Sequence, residues 1–97
     1  MVIVNQIDRN VYYLKIPLNW PADATDIEVL NSTLEPCLIE NAVIYIDLEL
    51  LRELPDILFN AFHSLVPQAA RKTARIIFIN AVPAFEERIN LLSSSSE

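Results

Sequence analysis

The chain has no glycine. Across 97 residues, every backbone position that needs a positive φ must be filled by a residue carrying a Cβ. Asn is the usual substitute there, because its short polar side chain tolerates the left-handed region. Eight asparagines are present. Asn10, Asn41, Asn60, Asn80 and Asn90 stand where hydrophobic runs give way, so they are expected to end elements. The same absence removes whole classes of function. The Walker phosphate loop and the dinucleotide fingerprint need glycine to let backbone approach phosphate, and neither can be built here.

Composition narrows the field further. Hydrophobic residues make up 53% of the chain and charged residues 21%, which excludes disorder for its bulk. A chain of this length supports one core and buries roughly 65% of its unfolded surface, enough to fold without metal or disulfide. Thirteen acids against seven bases give a net charge of −6. That balance repels phosphate backbones and anionic lipid, so no nucleic acid and no membrane surface is an expected partner. The longest clean apolar runs, 42–46 and 76–79, fall short of the ~18 residues a membrane helix needs. The first residues, Met1-Val2-Ile3-Val4-Asn5-Gln6, lack the basic and apolar regions of a signal peptide. The single Cys37 cannot form an internal disulfide, which suits a reducing compartment. The expected location is cytoplasmic.

The order of elements can be read along the chain. Run 2–7 is apolar and rich in β-branched residues, and 11–16 is another such run. Asp8-Arg9-Asn10 between them predicts a hairpin with Asn10 in the left-handed position. Thr25-Asp26-Ile27-Glu28 matches a capping box, and Ile27, Leu30, Leu34 and Leu38 follow at helical spacing. Pro36 breaks that helix, because its ring crowds the carbonyl of Ser32 and it donates no hydrogen bond.

Run 42–48 is a strand apolar on both faces until Asp47. A second helix over 54–70 places Leu58, Phe62, Leu65 and Ala69 on one stripe, with a break expected near Pro67. Arg71 and Lys72 follow at its carboxyl end, where cations suit the helix dipole. Run 74–80 is a second doubly apolar strand. Pro83 opens a third helix with Phe85, Ile89 and Leu92 as its buried stripe. Residues 1–92 therefore form one domain and 93–97 a disordered polar tail. The fold class is α/β: a single four-stranded, mostly parallel sheet with an N-terminal hairpin, in the order β-β-α-β-α-β-α. Right-handed crossovers place the helices mainly on one face and leave the other uncovered. The two doubly apolar strands call for interior positions, and run 2–7, with Asn5 and Gln6, tolerates an edge.

Catalytic chemistry is sparse. One His and one Cys cannot supply a nucleophile–base pair unless they meet, and neither sits in a motif. His63 reads as a boundary or surface helix residue one step from the Phe62 stripe, and Cys37 as a small buried hydrophobe. The scattered acids give no metal-ligand spacing, so no metal and no cofactor is expected. Asp47, Glu49, Glu53 and Asp56 run from the end of the central strand into the second helix. In open α/β sheets the carboxyl ends of strands are where ligands and partners bind. Glu53 and Asp56 also serve simply as charges at a helix N-terminus beside Pro55. A magnesium site there lacks any accompanying phosphate-binding glycine, Lys or Ser/Thr. Trp20 and the three tyrosines are accounted for by core packing, and a binding groove lined by Trp20 is an alternative that no motif supports.

Two local stretches carry a family likeness. Val43-Ile44-Tyr45-Ile46-Asp47-Leu48 resembles the central strand of STAS domains, the fold of bacterial anti-sigma factor antagonists, which ends in Asp-Leu before a loop and the second helix. Ile76-Ile77-Phe78-Ile79-Asn80-Ala81-Val82-Pro83-Ala84-Phe85 resembles the family's last strand, Asn-x-x-Pro turn and final helix. The resemblance covers the chain from Val2 to Leu92. It implies a non-enzymatic regulatory module for transcription that binds a protein partner, an anti-sigma factor or kinase-like regulator. The implied contact surface is Glu49, Arg52, Glu53 and Asp56.

The family's phosphorylated signature, Asp-Ser-Ser/Thr-Gly, is replaced by Leu54-Pro55-Asp56-Ile57-Leu58, and no Ser or Thr lies between Asp47 and His63. The phosphoswitch is therefore missing. Asp56 supplies one fixed negative charge where a phosphate would add about two. The alternative is a structural or assembly subunit that homodimerises through the uncovered sheet face.

Overall fold

The computed structural model describes residues 3–95 and holds a four-stranded sheet in the order β1-β2-β3-β4. β1 (Val4–Asp8) and β2 (Val11–Lys15) form an antiparallel hairpin, while β3 (Val43–Asp47) and β4 (Arg75–Ile79) extend the sheet in parallel. The helices are α1 (Ala24–Leu34), α2 (Asp56–Arg71) and α3 (Glu86–Ser95). Element order and fold class are those the sequence predicts.

Asparagine replaces glycine at several turns. Asn10 (φ 62°), Asn41 (φ 64°) and Asn80 (φ 60°) take the left-handed region where elements end. Asn60 and Asn90, expected to end elements too, lie inside α2 and α3. Both are exposed, and the buried stripe continues past each of them, so the helices run on. Asn19 (φ 60°) and Thr73 (φ 57°) adopt the same region without having been anticipated. A bulge between Gln6 and Asp8 interrupts the β1–β2 ladder.

Two local expectations, the cap of α1 and the break at Pro67, are corrected, and the interruption at Pro36 is found. The N-cap of α1 is Asp23, whose carboxylate accepts the Thr25 N–H at 2.9 Å, and Asp26 reaches back to the Ala22 N–H at 2.7 Å. The cap thus lies two residues ahead of Thr25, and Asp26 serves the residue before it, so the Thr25–Glu28 box does not form. α1 stops at Leu34, and a 3-10 turn (Glu35–Cys37) carries Pro36, as that proline demands. α2 passes through Pro67 without a break. The packed stripe Leu58, Ala61, Phe62, Leu65, Val66 and Ala69 holds both sides of it. Each large member contributes about 1.5–3 kcal/mol of burial, comparable to the ~3 kcal/mol cost of an interior proline. α3 runs to Ser95, three residues into the serine tail, while 96–97 and the start of run 2–7 lie outside the described residues.

The sheet alternates cleanly. Leu14, Ile44 and Ile46 are fully buried, with Val4, Tyr12, Ile76 and Phe78 packed against the same core. Phe62 of α2 meets Phe78 of β4 with ring centroids 4.9 Å apart. The helices cover this face. Val11, Tyr13, Val43, Tyr45, Ile77 and Ile79 alternate with those residues and point to the other side, where each remains half-buried. One expectation about position fails: β4 is an edge strand. Its apolar outer residues are not matched by a neighbour on that side among the described residues.

Candidate functional site

The carboxyl ends of β2, β3 and β4 meet at Asp47, the one buried charged residue among those described. Its Oδ1 accepts the Glu49 N–H at 2.9 Å and the Asn80 Nδ2 at 3.1 Å, and its Oδ2 accepts the Tyr13 hydroxyl. Asn80 can reach because its left-handed φ ends β4 beside the carboxylate. Burial opposes ionisation of Asp47, but the donors from Tyr13, Glu49 and Asn80, with the charge of Lys15, outweigh it and hold the carboxyl below its ordinary range. The same bond to Asp47, with burial, pushes the Tyr13 phenol up. A carboxylate with its lone pairs filled in this way is a structural knot. It fixes the loops that follow β3 and β4.

The four residues expected to contact a partner fall into three settings around that knot. Glu49 is exposed and pairs with Lys15 at 3.1 Å, and this hydrogen bond raises the Lys15 pKa. Asp56, whose side chain is 89% exposed, is held by Arg88 of α3, with Nη2 to Oδ1 at 2.9 Å. Arg88 also donates Nη1 to the Leu54 carbonyl at 2.9 Å and lies 4.4 Å from the centre of the Phe59 ring. Arg88 therefore ties α3 to the start of α2, with Asp56 as one of its three contacts. The N-cap there is Pro55, with no side-chain cap.

Arg52 and Glu53 are different. Both are exposed and have no hydrogen bond or ion pair among the described residues. They line a cleft of about 430 Å³ with Leu18, Trp20, Leu50 and Leu51. Leu18 (56%) and Leu50 (39%) stand exposed at the cleft, while Trp20 forms part of its wall at 8% exposure. The cleft opens between the loops after β2 and β3. Sequence reasoning reached Arg52 and Glu53 and preferred core packing for Trp20 over a binding groove. A Trp-Pro pair in the loop after a strand was the available signal. Tyr13, Asn80 and Arg88 were missed, since their partners lie 32 to 34 residues away.

His63 is exposed on α2, and Cys37 is buried, with its Sγ 3.9 Å from the Thr33 carbonyl. Burial pushes the Cys37 thiol up, away from the reactive thiolate. No group of three metal-ligating side chains occurs among the described residues, and no described helix is long and apolar enough to cross a membrane. Comparison with family models, curated proteins and solved structures finds no match to this chain.

Proposed function

We propose that the protein is a non-enzymatic regulatory module, similar to a STAS domain, that binds a protein partner through the surface after β3. The observation that carries this reading is the cleft beside Trp20. A free guanidinium, a free carboxylate and exposed leucines stand together at the carboxyl end of the sheet, on a loop fixed by the Asp47 knot. Arginine beside apolar and aromatic area is the mixture favoured at interface centres. The expected surface narrows to Arg52 and Glu53, with Glu49 at its margin. Asp56 contributes through its contact with Arg88.

On this reading the partner is an anti-sigma factor or kinase-like regulator in a bacterial cytoplasm. The missing hydroxyls between Asp47 and His63 favour an interaction without a phosphoswitch. The test is a pulldown comparing wild type with an Arg52→Glu/Glu53→Lys variant, followed by titration of the recovered partner. A specific partner should lose on the order of 2 kcal/mol of affinity with the variant. Equal binding by both proteins rejects the surface. The intrinsic fluorescence of Trp20, the only tryptophan, reports the same event directly.

The uncovered sheet face supports a second reading, a structural subunit that assembles with itself. Tyr13, Tyr45 and Ile77 form one continuous row across β2, β3 and β4 there. Recovery of the chain alone, with no regulator, favours this reading.

A further inference from the structure

The two edges of the sheet differ in a way that neither reading above uses. β1 carries the features that keep edges from pairing: polar Asn5, Gln6 and Asp8, and a bulge between Gln6 and Asp8. β4 carries almost none. Its sequence, Arg75-Ile76-Ile77-Phe78-Ile79, has one charge, at its first residue, and neither proline nor bulge.

Its ladder is also half used. Arg75 N–H donates to the Ala42 carbonyl at 2.9 Å, and the Ile79 carbonyl accepts from Leu48 N–H at 2.9 Å, so 75, 77 and 79 turn their backbone toward β3. By strand alternation, the N–H and C=O groups of Ile76 and Phe78 face the free edge.

From this contrast we propose that β4 pairs antiparallel with β4 of a second copy of this chain, giving a continuous eight-stranded sheet about a two-fold axis. One register uses the whole strand 75–79. Centred on Ile77, it places Ile76 opposite Phe78 of the other copy, twice. All four outward-facing groups of the two residues are then satisfied in each copy. Ile77 meets its own counterpart as a non-hydrogen-bonded pair, where side chains approach most closely.

Charge agrees with this register. The two Arg75 side chains lie at opposite ends instead of facing each other. A chain with a net charge of −6 repels itself over much of its surface, and this edge is a place where it does not. A short strand pairing falls at the small end of interface sizes, so the dimer forms only at high protein concentration.

The test is sedimentation equilibrium from about 10 μM to about 1 mM, the range in which a small interface shows itself. Wild type should pass from monomer to dimer. Ile77→Lys, which sets like charges face to face, should weaken dimerisation at least about tenfold. Tyr45→Lys, on the sheet face but away from the edge, should leave it unchanged. A variant that keeps the strand apolar gives an independent readout. Ile77→Cys should form a disulfide-linked dimer with oxidised glutathione, because cross-strand pairs of this type suit disulfide geometry. Tyr45→Cys should not. A wild-type monomer throughout the range overturns the proposal. So does a dimer that Tyr45→Lys abolishes and Ile77→Lys spares. Neither outcome touches the partner surface at Arg52 and Glu53.

Discussion

The Tyr13 hydroxyl on β2 donates to the Asp47 carboxylate at the end of β3, joining two residues 34 positions apart. That bond ties the hairpin to the loop carrying the candidate partner surface.

Tyr13→Phe should therefore destabilise the protein by about 1.5–3 kcal/mol, because a buried carboxylate loses a donor it cannot replace. The pair also sets a pH window. Asp47 ionises more readily in the folded chain than at its ordinary value of 3.8. Its contribution is present above that value and is lost as pH falls through the folded pKa. Tyr13 behaves in the opposite sense. Its pKa is raised above 10.0, so its contribution is complete below that value and is lost as pH climbs through the folded pKa. Urea unfolding across pH should show both limbs in wild type and lose the alkaline one in Tyr13→Phe.

Arg88 makes three contacts and Asp56 makes one of them. Arg88→Ala should cost about 1–2 kcal/mol, through the lost bond to the Leu54 carbonyl and the lost stacking on Phe59. Asp56→Asn should cost less than about 1 kcal/mol, because its side chain is 89% exposed and the ion pair is screened. A double-mutant cycle gives the coupling between them. A cost for Asp56→Asn equal to that of Arg88→Ala would show that the ion pair carries the docking of α3.

Thr73 holds φ 57° although β-branched residues disfavour that region. Thr73→Asn should raise stability by about 0.5–1 kcal/mol, and Asn10→Ala should lower it by about 1 kcal/mol. Thermal unfolding of the two variants checks both signs. Two losses would mean that the Thr73 hydroxyl, which accepts the Asn41 N–H and donates to the Lys72 carbonyl, outweighs the backbone strain.

Incubation with an anti-sigma kinase and ATP should leave the segment between Asp47 and His63 without phosphate, since it has no Ser, Thr or Tyr. Ser64 and Thr25 are exposed hydroxyls outside it. Phosphate found on either by mass spectrometry would establish a different switch.

Local signals in the sequence determined the order of elements, the Asn10 turn, the end of α1 before Pro36 and the buried stripes of α2 and α3. Periodicity, caps and turn chemistry act over a few residues, so they can be read without knowing what lies nearby in space. Tertiary structure alone decided the rest. Runs 42–48 and 74–80 look alike along the chain, yet β3 is central and β4 forms an edge, because a strand's place depends on what pairs with its far side. Pro67 sits within a helix because packing on both sides outweighs its local cost. Arg52 and Asp56 are near neighbours in sequence, but Arg88 claims one and leaves the other facing a cleft. Hydrogen bonds spanning more than thirty residues leave no periodic trace, and only the folded sheet brings their ends together.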